Sequence, residues 1–297
     1  MIIAVTGASG YLGKNLVRKI IEKTDNNILA ITSNITTFAN QKDNERIKVV
    51  RRDDFETIKK EKMDVLINCA FPRNENGIEL AKGLKYIKEI FEIVSKSGVK
   101  AIINISSQSV YDSKRQVPAK ESELLNLETK YAVAKYSSEL LTDFICKKIN
   151  HTNIRLASLI GPGFDQRVVN KMIKIAIEKR ELTALDGNLK YGFMDIDDAI
   201  DGILKIITHS NVKFREVYNL GTAKYYSLVD IANKISDCLK IHNYNILVNK
   251  KTTEKIYNSS LDVNLFYTDF KFNAKISLDE SIEKIYRQII KESSDQV

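Results

Sequence analysis

Apolar residues in this chain fall into short blocks of two kinds, and the blocks alternate. Ile2–Val5, Ile28–Thr32, Ile47–Val50, Asp64–Cys69, Lys100–Ile105 and Asn153–Ser158 are compact runs rich in isoleucine and valine, the pattern of strands. Asp64–Cys69 is almost wholly apolar, as befits a strand covered on both faces. Between the runs, three segments repeat with helical period: Tyr11–Glu22 (Leu12, Leu16, Ile20), Ile78–Ser97 (Leu80, Leu84, Ile87, Phe91, Val94) and Tyr131–Ile149. Strand–helix alternation predicts βαβ units and an α/β fold with a parallel sheet.

After Gly161–Pro162–Gly163 the pattern shifts to helices with fewer strands between them: Val168–Lys179, Asp197–His209, Leu228–Leu239 and Leu278–Lys291. This predicts a sheet domain over 1–160 and a smaller, mostly C-terminal lobe over 161–297. Glu216–Gly221 reads as a strand returning to the main sheet, so the two parts interleave.

Composition adds exclusions. With 43% hydrophobic and 28% charged residues in 297, the chain has the profile of a soluble globular protein. No apolar run approaches the ~20 residues a bilayer needs. Met1 leads straight into a strand without a basic leader, so the expected location is cytoplasmic, with no membrane partner. Cys69, Cys146 and Cys238 show no CxxC spacing, and none of His151, His209 and His242 has a ligand partner three or four residues on. No disulfide framework and no metal are expected. The net charge of +8 comes from lysines spread among Glu and Asp, which suits an anionic small molecule better than nucleic acid.

The candidate chemistry begins at Thr6–Gly7–Ala8–Ser9–Gly10–Tyr11–Leu12–Gly13, between the first strand and the first helix. Gly7 permits the turn, Gly10 lets backbone approach a pyrophosphate, and Gly13 lets the helix pack closely on the sheet. The helix N-terminus then offers free N–H donors to phosphate. With this loop, the sheet reads as a Rossmann-type, doubly wound domain binding NAD or NADP. At the end of the second strand stand Thr32, Ser33 and Asn34, where NAD selection normally uses a carboxylate; its absence tilts the expectation slightly toward NADP. Asp53, after the third strand, is placed either to meet the adenine amino group or to cap a turn.

Tyr131 and Lys135 are one helical turn apart and share a face. A nearby ammonium favours the phenolate and tunes the tyrosine for acid–base work. Upstream, an apolar strand runs into Ser106–Ser107–Gln108–Ser109, and ligands of parallel sheets bind outside such strand ends. A serine there can hold a substrate oxygen beside the phenol.

These segments resemble the extended short-chain dehydrogenase/reductase family, the NAD-dependent epimerase/dehydratase group. The likeness runs from TGASGYLG through DVLINCAF, INISSQSVYD and YAVAK to IRLASLIGPG, FMDIDDAIDGI and VYNLGTAKYYSLVDIA. It implies Tyr131 as general acid/base, Lys135 as tuning cation and ribose ligand, and Ser107 as the substrate-orienting hydroxyl. It also implies that the glycine loop, Ser9, Tyr11 and Leu12 included, lies along the cofactor with Ala70 and Leu156, and that Ser158 and Arg167 face a nucleotide-sugar. Dehydratases of the family carry Asp–Glu where this chain has Gln108–Ser109, which argues against dehydration. Epimerases often place an asparagine at Ser158 and an arginine near Tyr191, where only Lys190 stands; Arg155 and Arg167 are the alternatives for phosphate. The family likeness further implies a homodimer built on the helices at 78–97 and 131–149. The function expected is an epimerase or ketoreductase acting on a sugar-type hydroxyl; the alternative is a silent NAD(P)-binding redox sensor.

Overall fold

A computed structural model describes residues 1–41, 43–209 and 212–294; the end of the expected C-terminal lobe, 295–297, lies outside them. The first half runs β1 (Ile2–Thr6), α1 (Tyr11–Lys23), β2 (Asn27–Thr32), β3 (Ile47–Arg51), α2 (Phe55–Lys60), β4 (Val65–Asn68), α3 (Gly77–Val94), β5 (Ala101–Ser107), α4 (Lys130–Ile145) and β6 (Asn150–Leu156). There follow β7 (Ser158–Ile160), α5 (Val168–Lys179), β8 (Glu181–Asp186), β9 (Leu189–Lys190), β10 (Phe193–Asp195), α6 (Ile196–Thr208) and β11 (Val217–Leu220). The chain closes with α7 (Leu228–Ile241), β12 (Leu247–Thr252), β13 (Tyr257–Asn258), α8 (Asn264–Phe270) and α9 (Leu278–Ser294).

Seven strands make one sheet in the order β11-β6-β5-β4-β1-β2-β3, with every neighbouring pair parallel. Strand order reverses between β1 and β4, and that switch point opens a crevice beyond their C-terminal ends. The central strands are apolar because both faces are covered. Leu16, Val17 and Ile20 of α1 and Ile200 and Ile203 of α6 pack on one side. Ile87, Ile90, Phe91 and Val94 of α3 pack on the other.

A polar thread crosses this apolar sheet. Thr6 Oγ1 donates to Asn68 Oδ1 (2.6 Å), Asn68 Nδ2 to Asn104 Oδ1 (2.8 Å) and Asn104 Nδ2 to Asn153 Oδ1 (2.8 Å). Each strand from β1 to β6 in the sheet thus contributes one member at the same level, and mutual satisfaction makes burial tolerable.

The C-terminal lobe has its own core, with Ile173 of α5, Leu182 of β8, Ile235 and Leu239 of α7, and Ile282 and Ile285 of α9. β11 returns to the main sheet beside β6, and α6 packs on α1, so sequence position 160 does not separate the two cores. α4 ends at Ile145 rather than Ile149, because β6 starts early: Asn150, His151 and Thr152 pair with Ala101, Ile102 and Ile103. The short α2, capped by Asp54, which accepts from Thr57 N at 3.0 Å, went unread, as did the small parallel pairs β8–β12, β9–β13 and β7–β10.

Candidate active site

The glycine loop has the geometry its sequence requires. Gly7 sits at φ +65°, and a Cβ there would lie 2.8 Å from the backbone of Ala70. A Cβ on Gly13 would lie 2.2 Å from the Gly7 carbonyl oxygen, so helix and loop touch backbone to backbone. Gly10 is the N-cap of α1 and no side chain caps it, which leaves the first-turn N–H groups to a phosphate. Residues present and space available both fit a dinucleotide.

Two clefts meet at this loop. The first, about 360 Å³, is lined by Gly7, Ser9, Gly10, Thr32, Ser33, Ala70, Arg52 and Tyr86. The second, about 590 Å³, is lined by Tyr11, Leu12, Gly13, Ser107, Tyr131, Lys135 and Leu156, together with Arg73, Phe164 and Arg167. A third cavity, about 370 Å³, reaches the same Tyr131 and Ser107 from the other side and adds Gln108, Ser109, Ser158 and Tyr257. Tyr131, Ser107 and Arg167 therefore stand where the second cleft and the third cavity join.

Two expected cofactor residues are not brought to the first cleft. Asn34 turns back on its own loop and accepts from Thr36 Oγ1 at 2.6 Å. Asp53 pairs with Arg51 at 3.0 Å on the surface, with its side chain 63% exposed. In the turn that follows β3 it is Arg52 that lines the first cleft in the place expected for Asp53, its guanidinium 4.3 Å from the Tyr86 ring centroid.

Lys135 is oriented otherwise than the helical spacing suggests. Its ammonium donates to the Ile105 carbonyl at 2.6 Å and lies 4.6 Å from the Phe71 ring centroid, buried between helix and sheet. Burial lowers its pKa to about 8, against the opposing pull of Cys69 and Glu139. Burial raises the Tyr131 phenol, and the groups that pull it down are Arg73, Arg167 and the Ser107 hydroxyl beside it. The cations that pull most strongly on the phenol are two arginines, Arg73 and Arg167. Sharing a helical face aligned the Cα atoms of Tyr131 and Lys135; it did not decide where a long side chain would end.

Ser107 is prepared as a donor. Its Oγ accepts from Ser109 N (3.2 Å) and Ser109 Oγ (2.9 Å), which leaves its own proton for another oxygen. Arg155 is withdrawn from any phosphate role. It is buried against Glu139 (2.8 Å) and donates to Tyr111 Oη (3.0 Å), while Ser106 Oγ donates to the same carboxylate.

Arg167 and Arg73 form the feature that sequence reading caught only in part. Both guanidinium groups lie over the Phe164 ring, at 4.7 and 5.6 Å from its centroid, and Phe164 stacks on Tyr11 at 3.9 Å. Arg167 Nε is buried without a hydrogen-bond partner among the described residues. Desolvation, then repulsion from Arg73, lowers the Arg167 pKa to about 10. Arg73 lies in the turn after β4, and that position at a strand tip was the available signal for it.

A phosphate cradle joined at the switch point to a tyrosine, a serine and a lysine defines an enzyme of the extended short-chain dehydrogenase/reductase type. The chain belongs to the NAD dependent epimerase/dehydratase family, which matches residues 3–221. It is 23% identical to UDP-glucose 4-epimerase of Haemophilus influenzae, over 93% of this chain and 91% of that one. It is 22% identical to UDP-glucuronic acid decarboxylase 1 of Arabidopsis thaliana, over 95% of this chain and 68% of that one. Its fold matches the crystal structure of UDP-glucuronic acid 4-epimerase from Bacillus cereus in complex with NAD, with a TM-score of 0.85, 22% identity, and 98% and 99% of the two chains covered. No described helix is long and apolar enough to cross a membrane.

Proposed function

We propose that the chain oxidises and re-reduces a hydroxyl-bearing carbon of a nucleotide-linked sugar, as an epimerase or a ketoreductase. The observation that carries this reading is the convergence of Tyr131 and Ser107 at the junction of the cofactor cleft and a second cavity. A bound nicotinamide dinucleotide supplies the hydride acceptor and donor. The protein's own part is to hold the reacting oxygen with the Ser107 hydroxyl and to take or return its proton at Tyr131 Oη. Gln108 and Ser109 border that cavity in place of the Asp–Glu pair of dehydratases, and the carboxylate that does line it, Glu75, accepts from the Tyr131 backbone N–H at 3.3 Å; this arrangement favours simple oxidoreduction over loss of water.

The relatives support a nucleotide-sugar as substrate, and the paired Arg73 and Arg167 favour one carrying an anionic group near the reacting carbon. The nucleotide we assign is NAD, the one named with the Bacillus cereus structure; the lean to NADP finds no support among the neighbours. Arg52 and Lys82 nonetheless line the first cleft, so a 2′-phosphate would meet no net repulsion there. Val133, Leu140 and Phe144 of α4 are exposed and lie within one helical stripe, consistent with a homodimer formed through α3 and α4. Light scattering that returns a monomer at micromolar concentration refutes the dimer.

The test of function is Tyr131→Phe. It should abolish turnover of UDP-sugars while the protein keeps its thermal shift with NAD. A variant as active as the parent removes Tyr131 from the chemistry, and a parent that binds NAD but turns over no sugar nucleotide favours the sensor. Turnover without net absorbance change at the reduced-nicotinamide band marks the epimerase; stoichiometric consumption marks the reductase.

A further inference from the structure

The expectation of no metal ligands overlooked a pairing that runs the other way along the chain. Cys238 stands four residues before His242, so the two share a face at the end of α7, and α9 lays Glu283 against them. Glu283 Oε2 accepts from Cys238 Sγ at 3.3 Å and lies 2.9 Å from His242 Nε2. All three donor atoms fall within 4.8 Å of one another. We propose that Cys238, His242 and Glu283 form a binding site for Zn²⁺ or a similar borderline-soft divalent cation, clamping α7 to α9 in the C-terminal lobe.

The donor chemistry singles out this class. Thiolate, imidazole and carboxylate together match zinc and cobalt, whereas calcium and magnesium want oxygen alone. Bond lengths of about 2.0 Å to nitrogen and oxygen and about 2.3 Å to sulfur place tetrahedral donors roughly 3.3–3.5 Å apart. The cysteine–glutamate separation already has that value, and the histidine–glutamate one needs to open by only a few tenths of an ångström. A water molecule supplies the fourth position.

The surroundings are arranged to hold the donors. Arg287 pairs with the other carboxylate oxygen, Glu283 Oε1, at 2.6 Å, leaving Oε2 turned toward Cys238 and His242. Outer partners of this sort orient a ligand. The His242 ring is stacked on Tyr286 at 4.2 Å. One turn back, Lys234 and Asp279 join the same two helices at 2.8 Å. Metal binding displaces to solvent the Cys238 Sγ proton that is donated to Glu283 Oε2 in the metal-free protein, giving an M²⁺–thiolate–carboxylate site of zero net charge. None of the three residues lines the clefts around Tyr131, so the site is structural and independent of the function proposed above.

The experiment is titration of the full-length, chelator-stripped protein with Co²⁺. Expected are one equivalent bound, a sulfur-to-cobalt charge-transfer band in the near ultraviolet, intense tetrahedral visible bands, release of one proton, and bleaching on addition of Zn²⁺. Zn²⁺ should raise the thermal midpoint of the stripped protein and leave NAD binding unchanged. Cys238→Ser should lose the charge-transfer band, and Glu283→Gln, which keeps the thiol, should weaken Co²⁺ binding at least tenfold. Absence of the band in the parent overturns the proposal. So does its survival in Cys238→Ser, which would move the metal to another cysteine, or Co²⁺ affinity unchanged in Glu283→Gln.

Discussion

Replacing Lys135 by methionine should stabilise the cofactor-free protein at neutral pH, and the gain should fade as pH rises. The buried ammonium has a pKa of about 8, against an ordinary value of 10.5. At about 1.4 kcal/mol per pH unit, keeping it charged at pH 7 costs roughly 3 kcal/mol. Methionine fills similar space beside Phe71 and forfeits the ammonium's hydrogen bond to Ile105 O, worth about 1.5–3 kcal/mol for a charged donor. The variant should therefore be more stable at pH 7 by up to about 1.5 kcal/mol.

The sign of the pH dependence follows from the depressed pKa. Between pH 8 and 10.5 the unfolded chain holds the lysine proton more firmly than the folded one, so the parent gains stability as pH rises through that window. The variant lacks this term. From pH 7 to pH 10 its advantage should shrink by roughly 2.5 kcal/mol and reverse. Urea unfolding of both proteins, stripped of nucleotide, measures the difference directly, and titrations common to both cancel. A stability difference that stays constant between pH 7 and 10 would falsify the reasoning, whatever its value at pH 7.

Three further outcomes follow from the same coordinates. Gly13→Ala puts a methyl 2.2 Å from the Gly7 carbonyl, where backbone must move; it should cost more than about 3 kcal/mol and remove the NAD thermal shift, and normal nucleotide binding would show that the loop yields. Glu139→Gln leaves the buried Arg155 without its counter-charge, so urea unfolding should report a loss of about 3–5 kcal/mol; less than 1 would mean that Tyr111 and backbone carbonyls suffice. Arg167→Leu should raise KM for UDP-glucuronate roughly 30-fold, about 2 kcal/mol, with a much smaller effect for UDP-glucose. Equal effects on both would place the arginine on the nucleotide rather than on an acidic sugar.

The sheet was legible because its pattern is strong at every level. Buried strands read as uninterrupted apolar runs, and the glycine loop marks a junction where backbone touches backbone at Gly13 and Gly7. The small strand pairs of the C-terminal lobe were hidden because β9 and β13 are two residues long and carry no period to detect. At the site, position along the chain placed Tyr131, Ser107 and Lys135 together correctly. Where each side chain ends was out of reach: Lys135 turns to Ile105, Asp53 to solvent, and Arg155 to Glu139. These choices depend on packing between elements distant in sequence. Glu283 of the Cys238–His242–Glu283 cluster was out of reach for the same reason, since it lies on another helix, whereas the four-residue spacing of Cys238 and His242 is plain in the sequence.

The depth of the site sets its charge balance. Desolvation acts in opposite directions on an acid that ionises to an anion and on a cation that ionises to neutrality. It pushes the Tyr131 phenol up and the Lys135 ammonium down. A guanidinium stays charged across the working pH range, and Arg73 and Arg167 are the groups that favour the phenolate here. In the reaction proposed above the arginines would have two competing duties, since an anion bound between them weakens their pull on the phenol, whereas a neutral sugar leaves that pull intact.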